Sequence, residues 1–149
     1  KHALLESRIA IFDGHRRPSA EVKINVGSVP VTLIGTHPEP PRSEAGYLAR
    51  NRQLSAIAER VRLLKGPVVI AGDLNITPWS AHFRDLTARG GLTDSRRGFG
   101  LLTSWPTRWK ISRIPIDHIL VSPHVRVLDR RVGANVGSDH LPIWADLTW

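Results

Sequence analysis

The run Val68-Val69-Ile70-Ala71, leading into Gly72-Asp73-Leu74-Asn75, constrains this chain more than any other stretch. A near-continuous aliphatic run that meets a glycine reads as a strand buried on both faces, the kind found inside an α/β sheet. In an extended chain Asp73 and Asn75 face one side and Leu74 the other. The strand therefore delivers a carboxylate and an amide to the carboxyl edge of the sheet, where open α/β sheets collect their sites. Such a pair can orient a water and hydrogen-bond a phosphate oxygen. The plainer alternative is an Asx turn that closes the strand.

The flanking sequence supplies partners for that strand. Arg8 to Phe12 reads as a strand, and Asp13 to Pro18 as a turn-rich basic loop. Val22, Ile24 and Val26 alternate with polar residues, Gly27-Ser28 fits a hairpin turn, and Val31 to Thr36 makes the partner strand. That strand ends in His37, and Pro38, Pro40 and Pro41 prevent its continuation. Ser43 can cap a helix from about Glu44 to Leu64, with Tyr47, Leu54, Ile57, Val61 and Leu64 as its apolar stripe and the arginines mostly off it. Gly66-Pro67 stops it, so strand, crossover helix and the Val68 strand form a right-handed βαβ unit. Thr77-Pro78 marks a second helix start, with Trp79, Phe83 and Leu86 on one face and Gly90-Gly91 at its end. The stretch 96–110 has no clear period. Ile116 to Val121 reads as a strand, Val125 to Val132 as an edge strand with charges on one side, and Leu141 to Leu147 as the last strand.

At 149 residues the chain suffices for one domain with a sizeable core. Lysine and arginine number 21 against 13 acids, a net charge of +8, which favours polyanions: nucleic acid, anionic head groups or phosphorylated small molecules. The chain has no Cys, which excludes a disulfide framework and Cys-ligated metal. No apolar run approaches the length of a membrane span. The chain holds no Met and opens on Lys1-His2, so it reads as a piece of a longer protein.

Four polar clusters stand at the ends of apolar strands: His37, Asp73 with Asn75, Asp117, and Asp139 with His140. Each alone has a bland reading as a cap or turn. Their shared position at strand ends makes a common site the better account. No Gly-x-Ser-x-Gly elbow, P-loop or His-Glu-x-x-His is present.

Thr36-His37, Gly72-Asp73-Leu74-Asn75, Ile116-Asp117-His118-Ile119-Leu120 and Ser138-Asp139-His140-Leu141-Pro142-Ile143 follow one another in an informative order. In order and approximate spacing they resemble the endonuclease/exonuclease/phosphatase superfamily, which includes DNase I-like nucleases, abasic-site endonucleases, bacterial sphingomyelinases and inositol-polyphosphate phosphatases. The resemblance runs to Trp149. It implies an α/β fold, the DNase I-like four-layer sandwich of mixed β-sheets flanked by helices, here incomplete at its amino-terminal side. It implies hydrolysis of a phosphoester with Mg²⁺, or Mn²⁺ or Ca²⁺, a hard cation that takes oxygen ligands and keeps several waters.

The resemblance also implies roles. His140 is the general base, Asp117 fixes its tautomer, and Asp139 is a metal ligand. Asp73 and Asn75 orient the nucleophile and the scissile phosphate. His37 hydrogen-bonds a phosphate oxygen or protonates the leaving oxygen, and His118 points away. Trp105, Arg108 and Arg113, in a loop with Trp109 and Lys110, are candidate substrate contacts, by stacking on bases or by insertion at a membrane interface. Core packing of the tryptophans is the plainer alternative.

One departure shapes the expectation. The family's amino-terminal Asn and metal-binding Glu have no counterpart here, and Glu6 stands too close to the His37 strand to serve. Residues 1–149 are therefore expected to be the carboxyl-terminal portion of a single domain, binding metal weakly and turning over poorly by themselves. Open sheet edges would then be filled by a second copy or by the amino-terminal part. The favoured substrate is nucleic acid. The alternatives are a lipid or sugar phosphate, or a non-catalytic module that binds polyanions. Membrane contact is expected only through upstream segments. The His37-Pro38-x-Pro40-Pro41 segment resembles bacterial relatives anchored in a membrane with this domain outside the cytoplasm.

Overall fold

A computed structural model describes residues 2–12 and 17–149. In chain order the elements are β1 (Ala3–Ala10), β2 (Ser19–Val26), β3 (Val29–Gly35), α1 (Glu44–Arg62), β4 (Val68–Asp73), α2 (Ala81–Gly90), β5 (Thr93–Asp94), β6 (Asp117–Val121), β7 (Arg126–Val132) and β8 (Ile143–Thr148). The aliphatic run becomes β4, an interior strand of a six-stranded sheet ordered β1-β2-β3-β4-β6-β5. It pairs in parallel with β3, which α1 connects to it, and antiparallel with β6. Val68, Val69 and Ile70 are buried on alternate faces, as the run requires.

Strand alternation sends side chains to two cores. Ile34, Val68, Ile70 and Leu120 pack under Leu54, Ile57 and Val61 of α1 and Phe83 and Leu86 of α2. Val31, Val69 and Val121 face the other way, toward Val127 and Leu147 of the two-stranded β7–β8 sheet. The described residues thus form three layers: helices, mixed sheet, and a ribbon on the far face. Among them no helix is long and apolar enough to cross a membrane.

Several expectations are corrected. α2 starts at Ala81 and not at Pro78, because Thr77 to Ser80 close a turn through Ser80 N–H to the Thr77 carbonyl at 3.1 Å. Trp79 therefore lies outside the helix and is 55% exposed. α1 is capped by Ser43, whose hydroxyl accepts from Gly46 N–H at 3.1 Å, but it ends at Arg62. Its stripe omits Tyr47, which is exposed, and includes Arg50, which is buried and donates to the Asn75 carbonyl at 2.7 Å. A bulge in β7 turns Arg130 inward to donate to Ser95 Oγ at 2.9 Å. The Trp105–Ile114 bridge orders part of the stretch 96–110, which has no sequence period, and the two-residue β5 precedes it. Of the basic loop expected at 13–18, residues 13–16 lie outside the described residues.

Candidate active site

The site begins with strand register. β4 and β6 pair so that Asp73 and Asp117 are direct cross-strand partners at the end of the ladder, on one face. Asp117 Oδ2 accepts from His140 Nδ1 at 2.8 Å, which leaves Nε2 facing Asp73 Oδ2 at 3.8 Å. His37 Nε2 approaches the same Asp73 oxygen at 3.6 Å. The next residue in β6, His118, points to the other face as expected. It is fully buried, donates from Nε2 to the Ile76 carbonyl at 2.7 Å, and meets the Arg96 guanidinium at Nδ1 at 3.2 Å. Burial, reinforced by Arg96, pushes its pKa down to about 4 and keeps it neutral.

Gly72 lets His37 come this close. Its φ of +152° is glycine territory, and a Cβ built there would sit 1.9 Å from the Thr36 carbonyl oxygen. β3 and β4 therefore touch backbone to backbone at the residues preceding His37 and Asp73.

Asn75 departs from the extended-chain expectation. β4 ends at Asp73, and Asn75 takes φ 51°, so it is no longer on the strand's alternation. Asp73 Oδ1 accepts from Asn75 N–H at 2.8 Å, an Asx turn, while Asn75 Nδ2 donates to the Pro38 carbonyl at 3.1 Å. The turn and the site coexist: the turn ties the β4 end to the segment after His37. Burial and the nearby Asp117 charge raise the pKa of Asp73, against the lowering by Asn75 N–H, His140 and His37.

A cleft of 1110 Å³ opens over these groups, lined by His37, Asp73, Asn75, Trp105, Asp139 and His140 and bounded by the start of α1. Asp139 is exposed at its rim, and its carbonyl accepts from Thr107 N–H at 2.8 Å. Trp105 is half-buried, its ring 6.1 Å from that of His140. Arg108 is exposed and lies over the Trp109 ring, 5.5 Å from its centroid. Arg113 braces the loop, donating to the Pro106 and Thr107 carbonyls at 3.2 and 2.8 Å, so a substrate contact would compete with those bonds. Sequence reasoning missed Ser104, a buried residue whose hydroxyl reaches Asp117; no period or motif flags it.

Asp73, Asp117 and His140 offer ligand atoms within 4.8 Å of one another. Two carboxylates set side by side, one held above its ordinary pKa partly by the other's charge, suit a hard divalent cation. Asp139 lies outside this trio.

The fold and site together define a class: a mixed α/β sheet protein with paired acids and a carboxylate-oriented imidazole, the equipment of phosphoester hydrolases. The chain belongs to the Endonuclease/Exonuclease/phosphatase family, whose profile matches residues 1–140. No match is found among curated proteins. Among solved structures, it is similar to D. rerio TDP2 complexed with single strand DNA product, at 19% identity and TM-score 0.82, over 99% of this chain and 69% of that one. It is similar to an endonuclease/exonuclease/phosphatase from Beutenbergia cavernae, at 24% identity and TM-score 0.76, over 98% of this chain and 45% of that one. A Bacteroides thetaiotaomicron mannosyl-6-phosphatase matches at 17% identity and TM-score 0.74, over 100% of this chain and 68% of that one. At these identities the likeness is one of fold.

Proposed function

We propose that this chain carries the acid–base half of a metal-dependent phosphodiesterase that cleaves nucleic acid by in-line attack of water. The observation that supports it most is the 2.8 Å Asp117–His140 pair whose free imidazole edge faces Asp73. Asp117 holds the proton on Nδ1, so Nε2 is the basic nitrogen and takes the proton of the attacking water. Asp73 and Asn75 orient that water and the scissile phosphate. His37, 3.6 Å from Asp73, donates to a phosphate oxygen or protonates the leaving oxygen. Asp73 and Asp117 are the residues that would hold Mg²⁺, Mn²⁺ or Ca²⁺, with Asp139 at the cleft rim reaching the ion through water. When bound, such an ion neutralises charge that develops on phosphorus.

A nucleic-acid substrate is supported by the net charge of +8 and by the Arg108–Trp109 stack, a few residues along the chain from the cleft-lining Trp105. The D. rerio relative bound to a DNA product is consistent with it. No glutamate joins Asp73 and Asp117 in this cluster among the described residues, so cation binding is weak and turnover slow.

The test measures hydrolysis of bis-p-nitrophenyl phosphate and nicking of plasmid DNA with Mg²⁺ or Mn²⁺, against chelator. Slow, metal-dependent turnover that disappears in His140→Ala is expected. Turnover that survives His140→Ala, or none with either metal, overturns the reading. Preference for a sugar phosphate monoester over both diesters would move the assignment to a phosphatase.

A further inference from the structure

The Asp117 carboxylate has a second partner besides His140. Ser104 Oγ donates to Asp117 Oδ2 at 2.5 Å, the same oxygen that receives His140 Nδ1. A carboxylate can only accept here, so the hydroxyl is the donor. Ser104 is fully buried. Its N–H donates to the Ile114 carbonyl at 3.3 Å, and its carbonyl accepts from Leu141 N–H at 2.9 Å. One residue thus links the approach to Asp117, the Asp117 carboxylate itself, and the segment that immediately follows His140.

We propose that Ser104 is a positioning residue for the Asp117–His140 pair, and this rests on the hydrolase reading above. The terminal torsion of an aspartate is broad, so a single hydrogen bond leaves the carboxylate free to rock. A second donor, fixed by two backbone bonds of its own and arriving at the same oxygen, holds Oδ2 where Nδ1 meets it. Trp105 strengthens the frame: its N–H donates to the Ile114 carbonyl at 3.1 Å, next to the Ser104 bond. The Ser104 backbone bonds serve the fold, whereas its hydroxyl is directed at the carboxylate that orients the base. Removing the hydroxyl leaves the backbone frame in place and lets the carboxylate turn, so the imidazole loses its fixed tautomer and direction.

The experiment compares Ser104→Ala and Ser104→Thr in the full chain. The first readout needs no turnover: the His140 Nδ1–H signal in ¹H–¹⁵N spectra of the side chain, assigned by its loss in His140→Ala. Wild type and Ser104→Thr are expected to show a protected downfield signal, and Ser104→Ala to lose it to exchange with water. The second readout is kinetic. Ser104→Ala is expected to lower kcat about ten- to a hundredfold with KM little changed, to be rescued by Thr, and to add nothing in an Asp117→Ala background. An unchanged Nδ1–H signal in folded Ser104→Ala overturns the proposal, as does an equal kcat loss in the Asp117→Ala background. If wild type turns over no phosphoester, the hydrolase reading fails while the spectroscopic result still decides Ser104. If Ser104→Ala does not fold, Ser104→Cys fills the space with a weak donor and is read in the same way.

Discussion

Gly72→Ala tests the contact that brings β3 and β4 together. The added methyl would stand 1.9 Å from the Thr36 carbonyl oxygen, on a backbone with φ +152°. Holding an L-residue in that glycine region costs about 1–3 kcal/mol. Relieving an overlap of this size in packed structure costs about 1–3 kcal/mol more. Thr36 cannot easily retreat: its hydroxyl is bonded to Ser19 Oγ at 2.7 Å and to Gln53 Nε2 at 3.2 Å, and its N–H to the Ala71 carbonyl at 3.1 Å. A loss of about 4 kcal/mol is therefore expected, a large part of the roughly 5–15 kcal/mol that a domain has. Urea unfolding reads it as a midpoint lowered by about 2 M for a slope near 2 kcal/mol per M. Gly35→Ala, on the neighbouring strand, is the control, because a Cβ there meets nothing within 4 Å. The shift should also pull His37 away from Asp73 and reduce turnover in whatever protein remains folded. Equal midpoints for Gly72→Ala and Gly35→Ala would refute the reasoning.

Three further expectations follow from the electrostatics. His118, neutral in the fold with its pKa near 4, cannot take up the proton that the unfolded chain binds below its ordinary value of 6.5. Stability should therefore fall as pH drops from 6.5 toward 4, by up to ~3 kcal/mol, and His118→Gln should flatten that slope in urea titrations run across the window. Glu21 is held near pKa 2 chiefly by Arg60, at 2.6 and 3.0 Å, with Arg8 at 2.7 Å. A depressed carboxylate stabilises above its unfolded pKa of 4.5 and loses that contribution as pH falls through 2; with both guanidiniums partly in solvent, Glu21→Gln should cost about 1 kcal/mol at pH 7 and nothing in strong acid. Asp117→Asn should cut kcat by about 10²–10⁴ in the diester assay. The same change removes a like charge facing Asp73, so its thermal midpoint should not fall; a drop in both would recast Asp117 as structural.

The parts that could be read from sequence are those encoded locally. The β4 run, the β2–β3 hairpin, the Ser43 cap and the βαβ order each follow from neighbours a few positions apart, and β3 and β4 indeed pair in parallel. The convergence of His37, Asp73, Asp117 and His140 was legible because each ends or adjoins an apolar strand. What escaped depends on distant partners. Arg50 lies on the apolar side of α1 only because the Asn75 carbonyl awaits it, and Arg130 turns inward because a bulge aims it at Ser95. Asn75 leaves the extended path because Asp73 captures its N–H, a choice that periodicity cannot register. Ser104 sits in a stretch whose order comes from bridges to Ile114 and Leu141, so nothing near it in sequence announces the bond to Asp117.

The pairing of Asp73 with Asp117 has a consequence for how such a protein can diversify. Their separation is set by inter-strand spacing and is independent of loop length or sequence, so insertions around the cleft rim leave the two acids where they are. A slip of one position along β6 would instead exchange Asp117 for His118, flipping a carboxylate to the helix side and an imidazole to the cleft. Substrate preference is thus free to drift in the loops, while the acid pair can change only in steps that dismantle the sheet.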